Sequence, residues 1–335
     1  MKLQERINLL VKLGSYLQSD DPEWTLAKDN AERQNGWFTQ PFINLAINNI
    51  AENFLEAGKL HAFIATYSIP PRQATPKKVG LVMAGNIPLV GFHDWLCIFL
   101  TGHYAFIKPS VKDTVLIKHI IDKLIEWEPA IIYQTVFAEM LKGCDAYIAT
   151  GSNNSARYFE YYFSKYPHII RRNRTSAAII TGEESTAELE LLADDVNQYY
   201  GLGCRNVTKI YVPAGYDFVP LLNVFKKYID FADHNKYKNN YDYQLAIALL
   251  NNKYYMTNDA ILLVENEAVF SAISQLHYSF YEGNPKEIVT SLQNNPDIQC
   301  VVGKGLTPFG QAQQPALTDF ADGVDTMRFL LELST

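Results

Sequence analysis

Cys204 stands in the run Gly201-Leu202-Gly203-Cys204-Arg205. Two glycines open the backbone ahead of the thiol and a cation follows it, a setting that favours the thiolate and lets a substrate approach closely. Cys97 lies in the apolar run WLCIFL and Cys300 in IQCVV, and with Cys144 they read as inert buried hydrophobes. Cys204 is therefore the candidate nucleophile. The four cysteines lack the CxxC spacing of a zinc site. They are also too few for a disulfide framework in a chain of 335 residues, which suits a reducing, cytoplasmic setting.

Three further segments carry polar groups at the ends of apolar runs. Gly85-Asn86-Ile87-Pro88-Leu89 follows VGLVMA, where Asn86 either aims its amide across a strand mouth or forms an Asx-turn that caps the next helix. Ile107-Lys108-Pro109-Ser110 closes the run YAFIK with an ammonium that either meets a phosphate or ribose or is simply solvated. Thr150-Gly151-Ser152 precedes NNSARYFEYYF, where Gly151 and Ser152 offer N–H groups and a hydroxyl to an anion, or Ser152 serves as an ordinary N-cap. No full GxGxxG fingerprint is present.

These segments need a scaffold, and the periodicity supplies one. Leu3, Ile7, Leu10 and Val11 predict an amphipathic first helix, and a second starts near Pro41 and stops at Gly58. Pro70, Pro71 and Pro76 then break the chain. Beyond them, short apolar strands at 79–84, 104–108, 145–150, 177–181, 208–213 and 261–264 alternate with helices, among them 112–127. That alternation predicts an α/β fold with parallel sheet covered on both faces, whose ligands bind at the carboxyl ends of the strands. The Asn- and Tyr-rich run HNKYKNNYDY (234–243) has no period and predicts an exposed loop.

Composition narrows the function. Hydrophobic residues are 48% and charged residues 19%, as in globular proteins. Lys and Arg number 29 against 36 Asp and Glu, a net charge of -7 that argues against a nucleic-acid surface. No apolar stretch approaches the ~18 residues of a membrane span. The N-terminal MKLQERINLLVKLG lacks the pattern of a signal peptide.

In order along the chain, GNIPL, FIKPS, ATGSNNSAR and GLGCRNVTKIYV resemble the WNFPL, KPSE, FTGSTEVGR and nucleophile segments of the aldehyde dehydrogenase superfamily. Over nearly the whole chain, and in PALTDFADGVDTMRFLLEL, the sequence is similar to the LuxC branch of acyl-CoA reductases. The resemblance implies an aldehyde-dehydrogenase-like fold, a Rossmann-type cofactor domain plus a smaller α/β catalytic domain. It divides the chain into a helical lead-in (1–75), a nicotinamide-dinucleotide domain (76–178), a catalytic domain (179–310) and a returning segment (311–335). It makes Cys204 the nucleophile and Asn86, with the Cys204 amide, the oxyanion donor. Lys108 and Ser110 would hold the adenosine ribose and its phosphate, and Gly151 and Ser152 the pyrophosphate.

Two departures from the superfamily bear on the chemistry. Where aldehyde oxidisers carry the Glu of ELGGKSP, this chain has Arg171-Arg172-Asn173-Arg174-Thr175-Ser176, without a carboxylate. No base delivers water, so an acyl-enzyme survives until hydride arrives. The three arginines either meet coenzyme A phosphates or form a solvated basic turn. Val111 occupies the place of the Glu that accepts from ribose hydroxyls in NAD users, with Lys112 beside it. That exchange favours NADPH over NADH, unless Lys112 merely begins a helix. The expected reaction is NADPH-dependent reduction of an acyl-CoA, in the LuxC branch a fatty acyl-CoA, to the aldehyde. A homo-oligomer and an acyl-donating partner enzyme are also expected. The rivals are a CoA-independent aldehyde or semialdehyde dehydrogenase using Glu183 or Glu184, and a non-catalytic acyl or nucleotide binder. His93 and His103 read as structural. Tyr237, Tyr241, Tyr243, Tyr254, Tyr255 and Phe280 either line an acyl tunnel or pack in the core.

Overall fold

The computed structural model describes residues 1–333. It divides into two compact units, Met1–Asn173 with the segment from Pro315, and Arg174–Gln314. The first unit opens with four helices, α1 (Leu3–Leu17), α2 (Pro22–Gln34), α3 (Gln40–Asn53) and α4 (Ala57–Ala65). Asp21 starts α2 by accepting the N–H groups of Glu23 and Trp24, with Pro22 in the first helical turn. The sequence pattern missed α2 because only Trp24, Ala27 and Ala31 of it are buried. It also placed a helix stop at Gly58. That residue instead lies in the first turn of α4, where its N–H bonds to the Glu56 carboxylate at 2.9 Å.

The unit continues through β1 (Lys78–Val82), α5 (Phe92–Thr101), β2 (Tyr104–Lys108), α6 (Val115–Trp127), β3 (Thr135–Phe137), β4 (Ala146–Thr150), α7 (Asn153–Phe163) and β5 (His168–Arg171). The five strands form a parallel sheet in the order β3-β2-β1-β4-β5, with the direction of winding reversing between β1 and β4. Residues 138–145 join β3 to β4 without a helix. Leu10, Leu13, Trp24, Trp95 and Ile120 meet in one core that also takes Met327 and Leu330 from the C-terminal helix Thr326–Glu332. His103 ties that helix down: its Nδ1 accepts the Lys77 N–H at 3.0 Å and its Nε2 donates to the Leu330 carbonyl at 2.9 Å. His93 likewise bonds the Leu317 carbonyl at 3.0 Å.

The second unit comprises β6 (Thr175–Ile179), α8 (Thr186–Asn197), β7 (Val207–Pro213), α9 (Val219–Val224), α10 (Asn235–Leu250), β8 (Met256–Thr257), β9 (Leu262–Glu265), β10 (Gln275–Tyr281), α11 (Lys286–Gln293) and β11 (Ile298–Val302). Its sheet runs β11-β6-β7-β10-β9-β8, parallel except for the edge strand β8. Alternate residues of β6 and its extension enter different apolar clusters, Ala178 and Ile180 on one face and Ala177 and Ile179 on the other. Both faces are therefore covered, which is why the strands read as unbroken apolar runs. β6 pairs with β7 and β11, so the domain boundary drawn at 178 falls inside a strand of this unit rather than after it.

The run 234–243 is helical rather than a loop. His234 caps α10 by accepting the Tyr237 N–H at 3.3 Å, and of its sixteen residues only Tyr237, Tyr241 and Ala248 are buried. So few inward positions give no visible period, and packing overrides poor local propensity. Tyr237 and Tyr241 belong to the core while Tyr243 and Tyr254 are exposed, so the C-terminal aromatics do not form one lining.

Candidate active site

In the first unit, all the expected cofactor residues and Asn86 lie at the carboxyl edge of one sheet, Lys108 ending β2 and the others on the loops beyond the strands. The loop after β1 continues the pairing by one bond, from the Met83 N–H to the Lys108 carbonyl at 3.1 Å. A Cβ on Gly85 would sit 2.7 Å from the Ser110 Cβ and Oγ, so glycine is what allows the Asn86 loop to lie against the Lys108–Ser110 loop. Leu89 adopts a left-handed φ of 56°, and its N–H donates to Asp113 Oδ2 at 2.6 Å. Asp113 is buried, its Oδ1 has no partner, and burial pushes its carboxyl up to about 7. The two loops are thus latched by a residue the sequence reading did not single out. Asn86 is half-buried and does not cap α5, whose N-cap is Gly91.

Lys108 is exposed at the end of β2. The Ser110 carbonyl accepts the Asp113 N–H at 3.0 Å and the Thr114 hydroxyl at 2.9 Å, closing a tight turn. Its own hydroxyl accepts the Lys112 N–H at 3.3 Å. Lys112 is exposed and precedes α6 by three residues rather than beginning it. Gln34 and Asn35 brace this turn from α2 and its end, donating to the carbonyls of Val111 and Lys112.

Beyond β4, the Gly151 N–H bonds the Arg171 carbonyl at 3.2 Å, and a Cβ on Gly151 would lie 2.9 Å from Phe159 Cε2 and Ser155 Cβ. Ser152 is the N-cap of α7, its Oγ accepting the Ser155 N–H at 3.2 Å. A dinucleotide fits this edge: the strand order reverses between β1 and β4, and the loop after β4 leads into the start of an eleven-residue helix.

The three arginines differ in setting: Arg171 ends β5, while Arg172 is exposed and Arg174 half-buried in the turn that follows. Arg171 is buried and pairs with Asp94, also donating to the Thr326 hydroxyl at 2.8 Å. The Asp94 carboxylate holds the guanidinium pKa above its usual value, against the opposing effect of burial. Arg172 pairs with Glu160, and Arg174 donates to the Ile298 carbonyl at 3.2 Å.

In the second unit, α8 is followed by three consecutive left-handed residues, Tyr199 (φ 54°), Tyr200 (φ 58°) and Gly201 (φ 74°). The chain then forms a β-turn, closed by the Asn206 N–H on the Gly203 carbonyl at 3.1 Å, with Cys204 and Arg205 at its two corners. The half-buried Cys204 directs its carbonyl to Ser176 Oγ, which donates at 3.3 Å. Ser176 Oγ also accepts the Cys300 N–H at 3.3 Å and lies 3.1 Å from Cys300 Sγ. Burial pushes the thiols of Cys97, Cys144 and Cys300 up, keeping them protonated. The loop carrying Cys204 is tightly held rather than flexible as its glycines suggested.

Of the two rival bases, Glu184 has another occupation. The Glu184 carboxylate accepts the Thr181 N–H at 2.8 Å, the Thr181 hydroxyl at 2.7 Å and the Gly182 N–H at 2.9 Å. Glu183 is exposed in the same turn. Asp195 holds a different loop, accepting the N–H groups of Gly310 at 2.7 Å and Ala312 at 3.0 Å, and burial raises its carboxyl to about 7. Among the described residues, no helix is long and apolar enough to cross a membrane.

No protein-family model matches the chain, and no curated protein matches it. Solved structures do. A putative aldehyde dehydrogenase from Burkholderia cenocepacia superposes with a TM-score of 0.64 at 13% identity, over 88% of this chain and 73% of its own. An aldehyde dehydrogenase from Mycobacterium tuberculosis complexed with NAD+ gives 0.63 at 14%, over 90% and 73%. A succinic semialdehyde dehydrogenase from Streptococcus pyogenes in complex with NADP+ gives 0.65 at 13%, over 90% and 76%. The fold is that of the aldehyde dehydrogenases.

Proposed function

We propose that the protein is an oxidoreductase that reduces an acyl-CoA, with a fatty acyl group as the first candidate, to its aldehyde through a thioester on Cys204. The observation that carries this reading is the stretch before β6. Where aldehyde oxidisers keep a water-activating carboxylate, Arg171 is buried and committed to Asp94, and the carboxylate of Glu184 is consumed by its own turn. An acyl group on Cys204 is then spared hydrolysis.

The Cys204 sulfur adds to the thioester carbonyl, and Asn86 with the Cys204 amide stabilises the developing oxyanion. The carbon–sulfur bond to coenzyme A breaks, and the departing thiolate takes up the proton that Cys204 gave up. Lys108, Ser110, Lys112, Gly151 and Ser152 would hold a reduced nicotinamide dinucleotide, which would supply a hydride to the acyl carbon. As the aldehyde forms, the carbon–sulfur bond to Cys204 breaks and the thiolate returns. Lys112 and the absent carboxylate at Val111 favour NADPH, because a 2'-phosphate meets a cation there instead of a like charge.

Intact mass spectrometry after adding a panel of acyl-CoAs without reductant tests the reading. A mass gain of one acyl group, lost in Cys204→Ala, supports it and reports the preferred chain length. Brisk oxidation of aldehydes by NADP+ without coenzyme A would replace it with the dehydrogenase reading. No turnover with any acyl-CoA and no modification of Cys204 would leave a binding protein.

A further inference from the structure

The Asn206 side chain makes four hydrogen bonds. Its Oδ1 accepts the Gly203 N–H at 2.7 Å, and its Nδ2 lies 3.1, 3.2 and 2.9 Å from the carbonyls of Asp195, Val196 and Gln198. Asn206 is wholly buried, and its bonds to Gly203, Asp195 and Val196 are sheltered from bulk water, with that to Gln198 part-buried. Its main chain is engaged as well, the N–H on the Gly203 carbonyl at 3.1 Å and the carbonyl receiving the Ser176 N–H at 3.0 Å. Gly203 is therefore gripped at both its N–H and its carbonyl by one residue. The end of α8, the left-handed run and the turn bearing Cys204 are drawn together around a single amide.

We infer that Asn206 is the positioning residue for Cys204, fixing the turn that carries the thiol and with it the direction of the Cys204 peptide. The assignment rests on the proposed nucleophilic role of Cys204. Its physical content is geometric. A peptide N–H stabilises an oxyanion only if its direction is set before the reaction, and attack on a carbonyl tolerates little displacement of the sulfur. Asp195 links the clamp to the next loop. Its carbonyl receives one of the Asn206 contacts, and its carboxylate holds Gly310 and Ala312. Glycine is also needed at 203, since a Cβ there would sit 3.0 Å from Asn206 Oδ1 and 3.4 Å from Gln313 Oε1.

The test compares Asn206→Ala and Gly203→Ala with the wild type, each assayed well below its own melting temperature. Three reactions of Cys204 are followed: acylation by acyl-CoA, acetylation by p-nitrophenyl acetate, and alkylation by iodoacetamide. Asn206→Ala is expected to slow acylation by either donor about 10- to 100-fold, and Gly203→Ala about 3- to 10-fold. Alkylation, which needs an accessible thiolate but no carbonyl geometry, should stay within about threefold. If the folded variants acylate at the wild-type rate and lose only thermal stability, the inference is overturned. Should Asn206→Ala fail to fold, Gly203→Ala decides, because it displaces the clamp without deleting its hydrogen bonds. Wild-type protein that is acetylated by the ester but never by acyl-CoA defeats the reductase reading, while the variants still decide the role of Asn206. Wild-type Cys204 inert to both acyl donors defeats the inference too.

Discussion

Replacing Asp113 by Asn should remove a loss of stability with rising pH. The buried carboxyl has a usual value of 3.8 and is raised to about 7 by burial. Between those values the folded chain binds more protons than the unfolded one, so stability falls as pH rises through the window. With these two values, the wild type should lose about 2.5 kcal/mol between about pH 5 and pH 8 through this group alone. Asn keeps an oxygen for the Leu89 N–H and has no charge to bury. It does place an amide N–H where Oδ1 now lacks a partner, costing about 1–3 kcal/mol at every pH. The variant should therefore be less stable than the wild type at pH 5 and gain on it steadily towards pH 8. Urea unfolding followed by tryptophan fluorescence suits the measurement. Trp24, Trp37, Trp95 and Trp127 all lie in the first unit with Asp113, and Asp195 in the second is the same in both proteins and cancels in the difference. His103, whose burial lowers its pKa, titrates alike in both proteins and cancels in the difference. Stability curves that run parallel from pH 5 to pH 8 would refute the reasoning, because they would mean that Asp113 is already ionised in its buried place.

Asn86→Ala should lower the single-turnover acylation rate of Cys204 by roughly a hundredfold while leaving NADPH affinity unchanged, as stopped-flow and fluorescence titration would show. Asp94→Ala leaves the buried Arg171 guanidinium unpaired and should destabilise the first unit by about 3–5 kcal/mol, read as a lowered urea midpoint. Val111→Glu puts a carboxylate beside Lys112 and should move the kcat/KM ratio from NADPH towards NADH, by about tenfold if it removes about 1.4 kcal/mol of discrimination.

Six strands were legible as short apolar runs, such as 104–108, matched residue for residue by β2, whereas β3, β5, β8 and the polar-interrupted β10 were not. The loops at their ends were legible for a related reason: a Gly, Pro or Ser must stand where an apolar strand stops. What escaped was structure with little inward surface. α2 buries three residues and α10 three, too few to print a period on the sequence. The fate of Arg171 was equally hidden, since its partner Asp94 is 77 residues away and nothing local marks the pair. Asn206 was visible only as a polar residue ahead of an apolar strand. Its four bonds reach back to residues 195, 196, 198 and 203, and they arise only once α8 and β7 are side by side.

The left-handed run at Tyr199–Gly201 ties the turn carrying Cys204 to residues far along the chain. Each of its two tyrosines pays about 1–2 kcal/mol to hold that shape, a cost no isolated peptide would bear. The contacts that offset it are remote in sequence, with the Tyr200 ring packed on Phe231, His234 and Tyr237. The backbone shape that leads into the Cys204 turn is therefore one the chain holds only with those distant rings packed around it.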